Sequence, residues 1–210
     1  LKFNFSHNGG TIDDPIDFPD LEAFSNNNYS LELDDLDRII DHIVSDGRYQ
    51  DLIDTNDISI IGHSRGGGIA MIKAEEHPMV KRVITWAGVS DFKSRFFIGS
   101  EEFNKWKANG VSYVENGRTK QMMTHNFQFF EVFINNEERL TISRAVKNLH
   151  KPQLIIQGAK DLAVPVSEAK DLHRWNPNSK LIVLDEADHV FGSKHPWNLN
   201  EWPILLKEIV

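Results

Sequence analysis

An α/β architecture, a mostly parallel sheet carrying helices on both faces, is what this sequence predicts, and three observations predict it. Short apolar or β-branched runs recur at Ile58 to Ile61, Arg82 to Trp86, Gln153 to Gln157 and Leu181 to Leu184. Runs of this length with little polar alternation suit strands covered on both faces. Between them lie segments whose apolar residues repeat every three to four positions, as amphipathic helices require, and the strand-then-helix order is what right-handed crossovers in a parallel sheet produce.

The chain opens on Leu1-Lys2-Phe3-Asn4-Phe5, an alternating run that reads as a strand. A loop rich in Asn, Asp, Gly and Pro follows from Ser6 to about Ser30, with Phe18, Leu21 and Phe24 as apolar anchors. Leu31, Leu33, Leu36, Ile39, Ile40 and Ile43 then predict a helix starting near Ser30. After the strand at Ile58 to Ile61, Gly66-Gly67-Gly68 leads into a helix through Ile69 to Ala74 that must end before Pro78. Further helices are expected at Ser167 to Trp175 and from Asn200 to the end. Residues 91 to 150 break the alternation with aromatic and charged residues and short helices near Ser100 to Lys107 and Glu137 to Asn148. They read as a cap inserted over the sheet edge of a single catalytic domain spanning 1 to 210. No internal repeat is present.

Composition narrows the function. A chain of 210 residues with 40% apolar content can bury one sizeable core. Its formal charge of −8, from 31 acidic against 23 basic residues, repels phosphate backbones and anionic lipid surfaces, so nucleic acid and membrane are not expected partners. No apolar run approaches the roughly 18 to 20 residues that a spanning helix needs. The absence of cysteine removes disulfides, thiolate metal sites and a cysteine nucleophile, while fitting either redox environment. The chain starts at Leu1 without an initiator methionine, so an upstream segment is expected; a cytoplasmic location is the default reading, which a leader in that segment would change.

The chemistry is carried by Gly62-His63-Ser64-Arg65-Gly66, a G-x-S-x-G set between a predicted strand and a predicted helix. The turn there is so tight that the serine is strained and side chains at the two glycine positions are expected to collide with it. The Ser64 hydroxyl would emerge at the carboxyl end of the sheet, and the Arg65 backbone N–H would sit at a helix N-terminus, able to donate to an oxyanion. A serine is a poor nucleophile until a base takes its proton, and that base needs an orienting carboxylate. Asp161 lies in Gly158 to Pro165, just past the strand at Gln153 to Gln157, and His189 lies just past the next strand. The bland readings are a turn-capping aspartate and a surface histidine. Asp185 and Asp188 stand too close to His189 in sequence to orient it, His173 and His195 lack the strand-then-loop setting, and His63 reads as a packing or hydrogen-bonding neighbour inside the turn.

With these residues in place, the chain resembles an α/β-hydrolase of the dienelactone hydrolase, prolyl-oligopeptidase-like and serine aminopeptidase group. Phe3 to Gly9 is similar to that group's strand and glycine-containing loop, Gly62 to Gly66 to its nucleophile elbow, and Gly158 to Pro165 and Asp188-His189 to its acid and base segments. The resemblance implies an eight-stranded sheet of which this chain would begin at about the fourth strand. It also implies a second oxyanion donor from a loop after the third strand, which the sequence does not display; His7-Asn8-Gly9-Gly10 is one alternative and a later entrance loop the other.

Ten aromatic residues fall between 92 and 133. Some, Phe96 and Trp106 among them, could line an apolar substrate pocket, although packing of the cap is the simpler role for any one. Arg118, with Arg95 and Lys120, could bind a substrate carboxylate or simply be solvated. No cofactor or metal is expected, since a triad needs none, no H-E-x-x-H spacing occurs, and Gly62 to Gly67 lacks the Lys-Ser/Thr ending of a phosphate loop. The function expected is hydrolysis of small-molecule carboxylic esters through an acyl-enzyme. A serine peptidase and a non-catalytic binding protein of the same fold are the alternatives.

Overall fold

The computed structural model describes residues 1–49, 51–194 and 200–207. In chain order the elements are α1 (Leu21–Ser25), α2 (Tyr29–Ser45), β1 (Ile58–His63), α3 (Arg65–Glu76), β2 (Val80–Trp86), a 3-10 turn (Lys93–Phe96), α4 (Glu101–Asn109), β3 (Val111–Glu115), β4 (Met122–Asn126), α5 (Gln128–Asn135), α6 (Glu137–Leu140), α7 (Ile142–Lys147), β5 (Gln153–Gly158), α8 (Val166–Trp175), β6 (Lys180–Leu184) and α9 (Ile204–Lys207). They form two compact units, one joining Leu1–Asp46 to Lys93–Leu140 and the other joining Gly47–Phe92 to Thr141–Val210. The segment expected as a cap is thus divided, with 93–140 in the first unit and 91–92 and 141–150 in the second.

The second unit is built on a four-stranded parallel sheet of order β1-β2-β5-β6. Register places Ile84 beside Leu154 and Ile156 beside Ile182. Successive side chains of a strand point to opposite faces. Val83, Thr85, Gln153, Ile155 and Gln157 therefore share the face on which α3 packs against β1 and β2, α8 against β5 and β6, and α7 against α3 and α8. Ile69, Met71, Ile72 and Leu172 are fully buried on these helices, and each aliphatic side chain taken out of water contributes about 1.5–3 kcal/mol. On the opposite face Ile84, Trp86, Leu154, Ile182 and Leu184 pack with Leu205 and Leu206 of α9 around Ala87, Ile156, Ala187 and Phe191. The sheet carries helices on both faces, the α/β architecture that the sequence predicts. Strand β1 forms one edge, with Ile61 58% exposed.

The first unit is held by aromatic packing. The Phe96 ring lies 5.0–5.6 Å from those of Phe133, Phe130 and Phe129, and Tyr29 lies 4.7 Å from Phe129. Phe103 meets Phe130 at 4.9 Å and Trp106 meets Phe127 at 5.0 Å, both edge to face. Such pairs add about 0.5–1.5 kcal/mol each beyond the area they bury. Strands β3 and β4 pair as an antiparallel hairpin.

Several elements differ from the sequence expectation. Leu1 to Phe5 forms no strand, because alternation makes a strand only where a neighbour accepts its ladder; Phe3 and Phe5 merely meet edge to face at 5.3 Å. The loop to Ser30 contains α1, capped by Asp20, whose Oδ1 accepts from Ala23 N–H at 2.8 Å. Helix α2 starts before Ser30, since Asn28 is its cap and accepts from Leu31 N–H at 3.0 Å. The stretch Glu137 to Asn148 breaks at Thr141 into α6 and α7. The helix expected from Asn200 onward is found only at Ile204–Lys207; residues 208–210 and His195 lie outside the described residues.

Candidate active site

Ser64 closes β1 and caps α3 with φ 54° and ψ −122°, a left-handed conformation costing a non-glycine residue about 1–3 kcal/mol. The strain is held by the backbone on both sides. Ser64 N–H donates to Trp86 C=O at 2.9 Å, and Ser64 C=O accepts from Gly67 N–H at 2.9 Å and Val89 N–H at 3.2 Å. A serine at a helix N-cap ordinarily turns its hydroxyl onto an N–H of the first turn, yet Ser64 makes no side-chain capping bond. Arg65 opens α3, the position where helix geometry offers an N–H no intrahelical acceptor and where the dipole is positive.

The glycines around the serine have unequal reasons. A Cβ at Gly62 would lie 2.2 Å from the Gly66 carbonyl oxygen and 2.8 Å from Ala70 Cβ, and one at Gly67 would lie 2.7 Å from Gly88 Cα. At Gly66 itself a Cβ would meet nothing within 4 Å, so the expected collision at both motif glycines holds only at the first. Gly62→Ala is expected to destabilise the protein by about 3 kcal/mol or more, because the obstruction is backbone that cannot swing aside. Gly66→Ala should stay within about 1 kcal/mol of the parent, a methyl in open space on a helix being neutral or helpful. Paired chemical denaturation curves check both; equal midpoints for the two variants would contradict the close approach.

Asp161 and His189 are brought together. His189 Nδ1 donates to Asp161 Oδ2 at 2.8 Å, with the Asp161 side chain fully buried and that of His189 26% exposed. Oδ1 of Asp161 accepts from Ala163 N–H at 2.8 Å and Val164 N–H at 2.9 Å, and Oδ2 also accepts from Gln157 Nε2 at 2.9 Å. Burial alone would raise the Asp161 pKa, but the hydrogen bonds from Val164, His189 and Ala163 and the His189 charge together outweigh it, holding the carboxyl below the ordinary aspartate value of 3.8. With Asp161 ionised, the proton of the bond sits on His189 Nδ1, which leaves Nε2 as the acceptor a general base needs.

The base loop is fixed from several sides. Asp188 Oδ1 accepts from Val190 N–H at 3.1 Å and Gly192 N–H at 2.9 Å, a loop-capping task. Ala187 C=O accepts from Lys160 N–H at 2.9 Å, and a Cβ at Gly158 would lie 2.3 Å from that oxygen, so β5 and this loop touch backbone to backbone. Phe191, at φ 54°, anchors the loop in the core. His63 lies beside it, its Nε2 2.8 Å from His189 C=O and its ring 4.7 Å from the His189 ring. Gln157, which sequence reasoning passed over, does have a signal: a polar residue ending an apolar buried strand.

The remaining expected residues lie in the other unit. Phe96 is buried in the aromatic cluster, and Trp106 donates Nε1–H to His125 C=O at 2.8 Å. Arg118 bonds Asp17 Oδ1 at 2.5 Å and Ile16 C=O at 3.0 Å, and Lys120 pairs with Glu115 at 3.1 Å. In His7 to Gly10, Gly10 N–H donates to Asn8 Oδ1 at 2.9 Å. Among the described residues no group of three or more His, Asp or Glu side chains converges as a metal site, and no helix is long and apolar enough to cross a membrane.

Comparison with known proteins gives the family and shows the fold to be that of an α/β-hydrolase. Residues 21–200 match the model of the prolyl oligopeptidase family. A human protein named serine hydrolase BPHL is 25% identical over 145 residues, covering 63% of this chain and 48% of its own length. The chain thus spans about half the length of that curated relative. Among solved structures, Est1E from Butyrivibrio proteoclasticus superposes with a TM-score of 0.62 at 19% identity, over 80% of this chain and 64% of that one. A puromycin-hydrolyzing peptidase of Mycobacterium tuberculosis superposes with a TM-score of 0.51 at 16% identity, over 76% of this chain and 22% of that one.

Proposed function

We propose, since the chain belongs to the prolyl oligopeptidase family, that it hydrolyses small carboxylic esters through Ser64, His189 and Asp161. The observation that carries this is the 2.8 Å bond from His189 Nδ1–H to the buried Asp161 carboxylate, past the same carboxyl end of the strands as a serine in strained backbone. His189 Nε2 takes the Ser64 Oγ proton as Oγ attacks the ester carbonyl, and the Arg65 N–H donates to the resulting oxyanion. The imidazolium then protonates the departing alkoxide, leaving an acyl-serine that water attacks by the same path in reverse. Esters come first because an alkoxide leaves with less help from that proton than an amine does.

A second reading, a serine peptidase, is favoured by the family itself, whose description is that of an oligopeptidase. A fluorophosphonate probe labels only an activated serine, so modification at Ser64 is expected. Short-chain p-nitrophenyl esters should then exceed aminoacyl p-nitroanilides in kcat/KM after each is divided by its uncatalysed rate. Absence of labelling would sink the hydrolase reading, and a corrected preference for anilides would replace the ester reading with the peptidase one.

A further inference from the structure

The base loop lies past β6, at the edge of the sheet opposite β1, yet it reaches the residue preceding the nucleophile. His63 ends β1, the sheet order is β1-β2-β5-β6, and still His63 Nε2 stands 2.8 Å from the main-chain carbonyl of His189. The loop therefore crosses the ends of β5 and β2, and its contact with β1 closes that span. A carbonyl oxygen only accepts, so Nε2 of His63 carries a proton and donates it. The His63 and His189 rings, 4.7 Å apart and tilted by 47°, pack beside that bond.

We infer that His63 is a positioning residue for the base: its Nε2–H latches the His189 main chain to the strand that carries Ser64, and so fixes the separation between imidazole and nucleophile. This rests on the proposed triad and adds to it a residue that touches neither the proton in transfer nor the substrate. The Asp161 bond at its Nδ1, the Asp188 cap on the residues that follow it and the bond from Lys160 N–H to Ala187 C=O hold His189 to its own loop and to β5, and Phe191 holds the loop to the core beside Trp86 of β2. His63 supplies the direct tie to β1, and without it the distance to Ser64 can shift while the acid–base pair stays intact.

The charge state of His63 suits the task. Its pKa is lowered from the ordinary value of 6.5, first by the hydration its ring loses on packing; the bond to His189 C=O raises it, the His189 charge lowers it, and the Asp161 charge raises it. A neutral latch adds no second positive charge beside His189 when that ring becomes an imidazolium.

Because the His63 ring is partly open to solvent, substitutions there should leave the fold standing, which thermal melts verify. The test compares three proteins by their second-order rate of Ser64 labelling with a fluorophosphonate, and by kcat and KM on p-nitrophenyl butyrate. His63→Phe keeps a ring and removes the donor; His63→Gln keeps an N–H near the Nε2 position and removes the ring. His63→Phe is expected to slow labelling and kcat on the order of 10- to 100-fold with KM nearly unchanged, as a displaced catalytic group does. His63→Gln is expected to recover most of that loss. Labelling of His63→Phe at the parental rate would overturn the latch, and so would equal slowing of both variants. A parent protein that does not label at Ser64 would instead remove the triad, and with it any base to position.

Discussion

Ser64→Ala is expected to abolish hydrolysis of p-nitrophenyl esters, with kcat falling by about 10⁴ to 10⁶, and to leave thermal stability unchanged or raised. The rate loss follows from chemistry, since Oγ is the one atom that forms the acyl-enzyme, and the base and acid have nothing to activate without it. Stability should be spared because Oγ makes no capping bond to α3 and the turn is held by backbone hydrogen bonds that alanine retains. The φ of 54° costs alanine about what it costs serine. Fluorophosphonate labelling, steady-state rates and a thermal melt on one preparation decide the matter. Turnover within about tenfold of the parent would remove Ser64 from the mechanism.

Asp161→Asn should lower kcat by about 10⁴. The carboxylate accepts four hydrogen bonds, two on Oδ1 from Ala163 and Val164 and two on Oδ2 from His189 and Gln157. An amide of the same shape has one accepting oxygen. If that oxygen faces the two backbone N–H groups, the amide NH₂ confronts Gln157 and His189, and His189 must move its proton to Nε2, the atom that should accept from Ser64. The reverse orientation strands two backbone donors instead. Leaving buried donors unpaired should also cost about 1–3 kcal/mol of stability near neutral pH.

That cost depends on pH in a defined direction. The Asp161 pKa is depressed in the folded protein, so the unfolded chain takes up its proton first as pH falls; the stabilisation is complete above the unfolded value of 3.8 and is lost as pH drops through the folded value. Asparagine has no such dependence, so the stability gap between parent and Asp161→Asn should narrow on acidification below about pH 4. Melting curves across that range give the sign. Full activity in Asp161→Asn together with a damaged Asp185→Asn would reassign the acid.

The sequence exposes this fold unevenly. The strands of the parallel sheet were visible because burial on two faces writes them as apolar runs, and Ile58 to Ile61, Gln153 to Gln157 and Leu181 to Leu184 sit within a residue or two of β1, β5 and β6. The β3–β4 hairpin was not, although Asn116-Gly117 between two alternating runs is a hairpin signal; there Asn116 N–H donates to Gln121 C=O at 2.8 Å across the turn. The surrounding charges and aromatics read instead as an inserted cap with short helices. Leu1 to Phe5 failed the other way, its alternation lacking a partner strand. At the proposed site, Ser64, Asp161 and His189 stand out in the sequence because strand ends and a tight glycine turn are local features. Gln157 and Asp188 were not, because each acts through a hydrogen bond that only the folded backbone sets up, and His63, read as a packing or hydrogen-bonding neighbour, gave no sign that its partner is His189 C=O.

The long reach of the base loop also orders events in time. The proposed nucleophile, acid and base sit at positions 64, 161 and 189, so the site is made of contacts far apart in sequence, a class that forms slowly because loop closure precedes any reward. During synthesis the strained serine turn can form as soon as β2 supplies the Trp86 carbonyl, well before the histidine leaves the ribosome. A nascent chain would then display Ser64 with no base to deprotonate it, inert toward surrounding esters and amides. Chemical competence would arrive in one step, when β6 adds to the sheet and its following loop swings across to β1, so that recovery of probe labelling in a refolding experiment reports the last strand rather than the first.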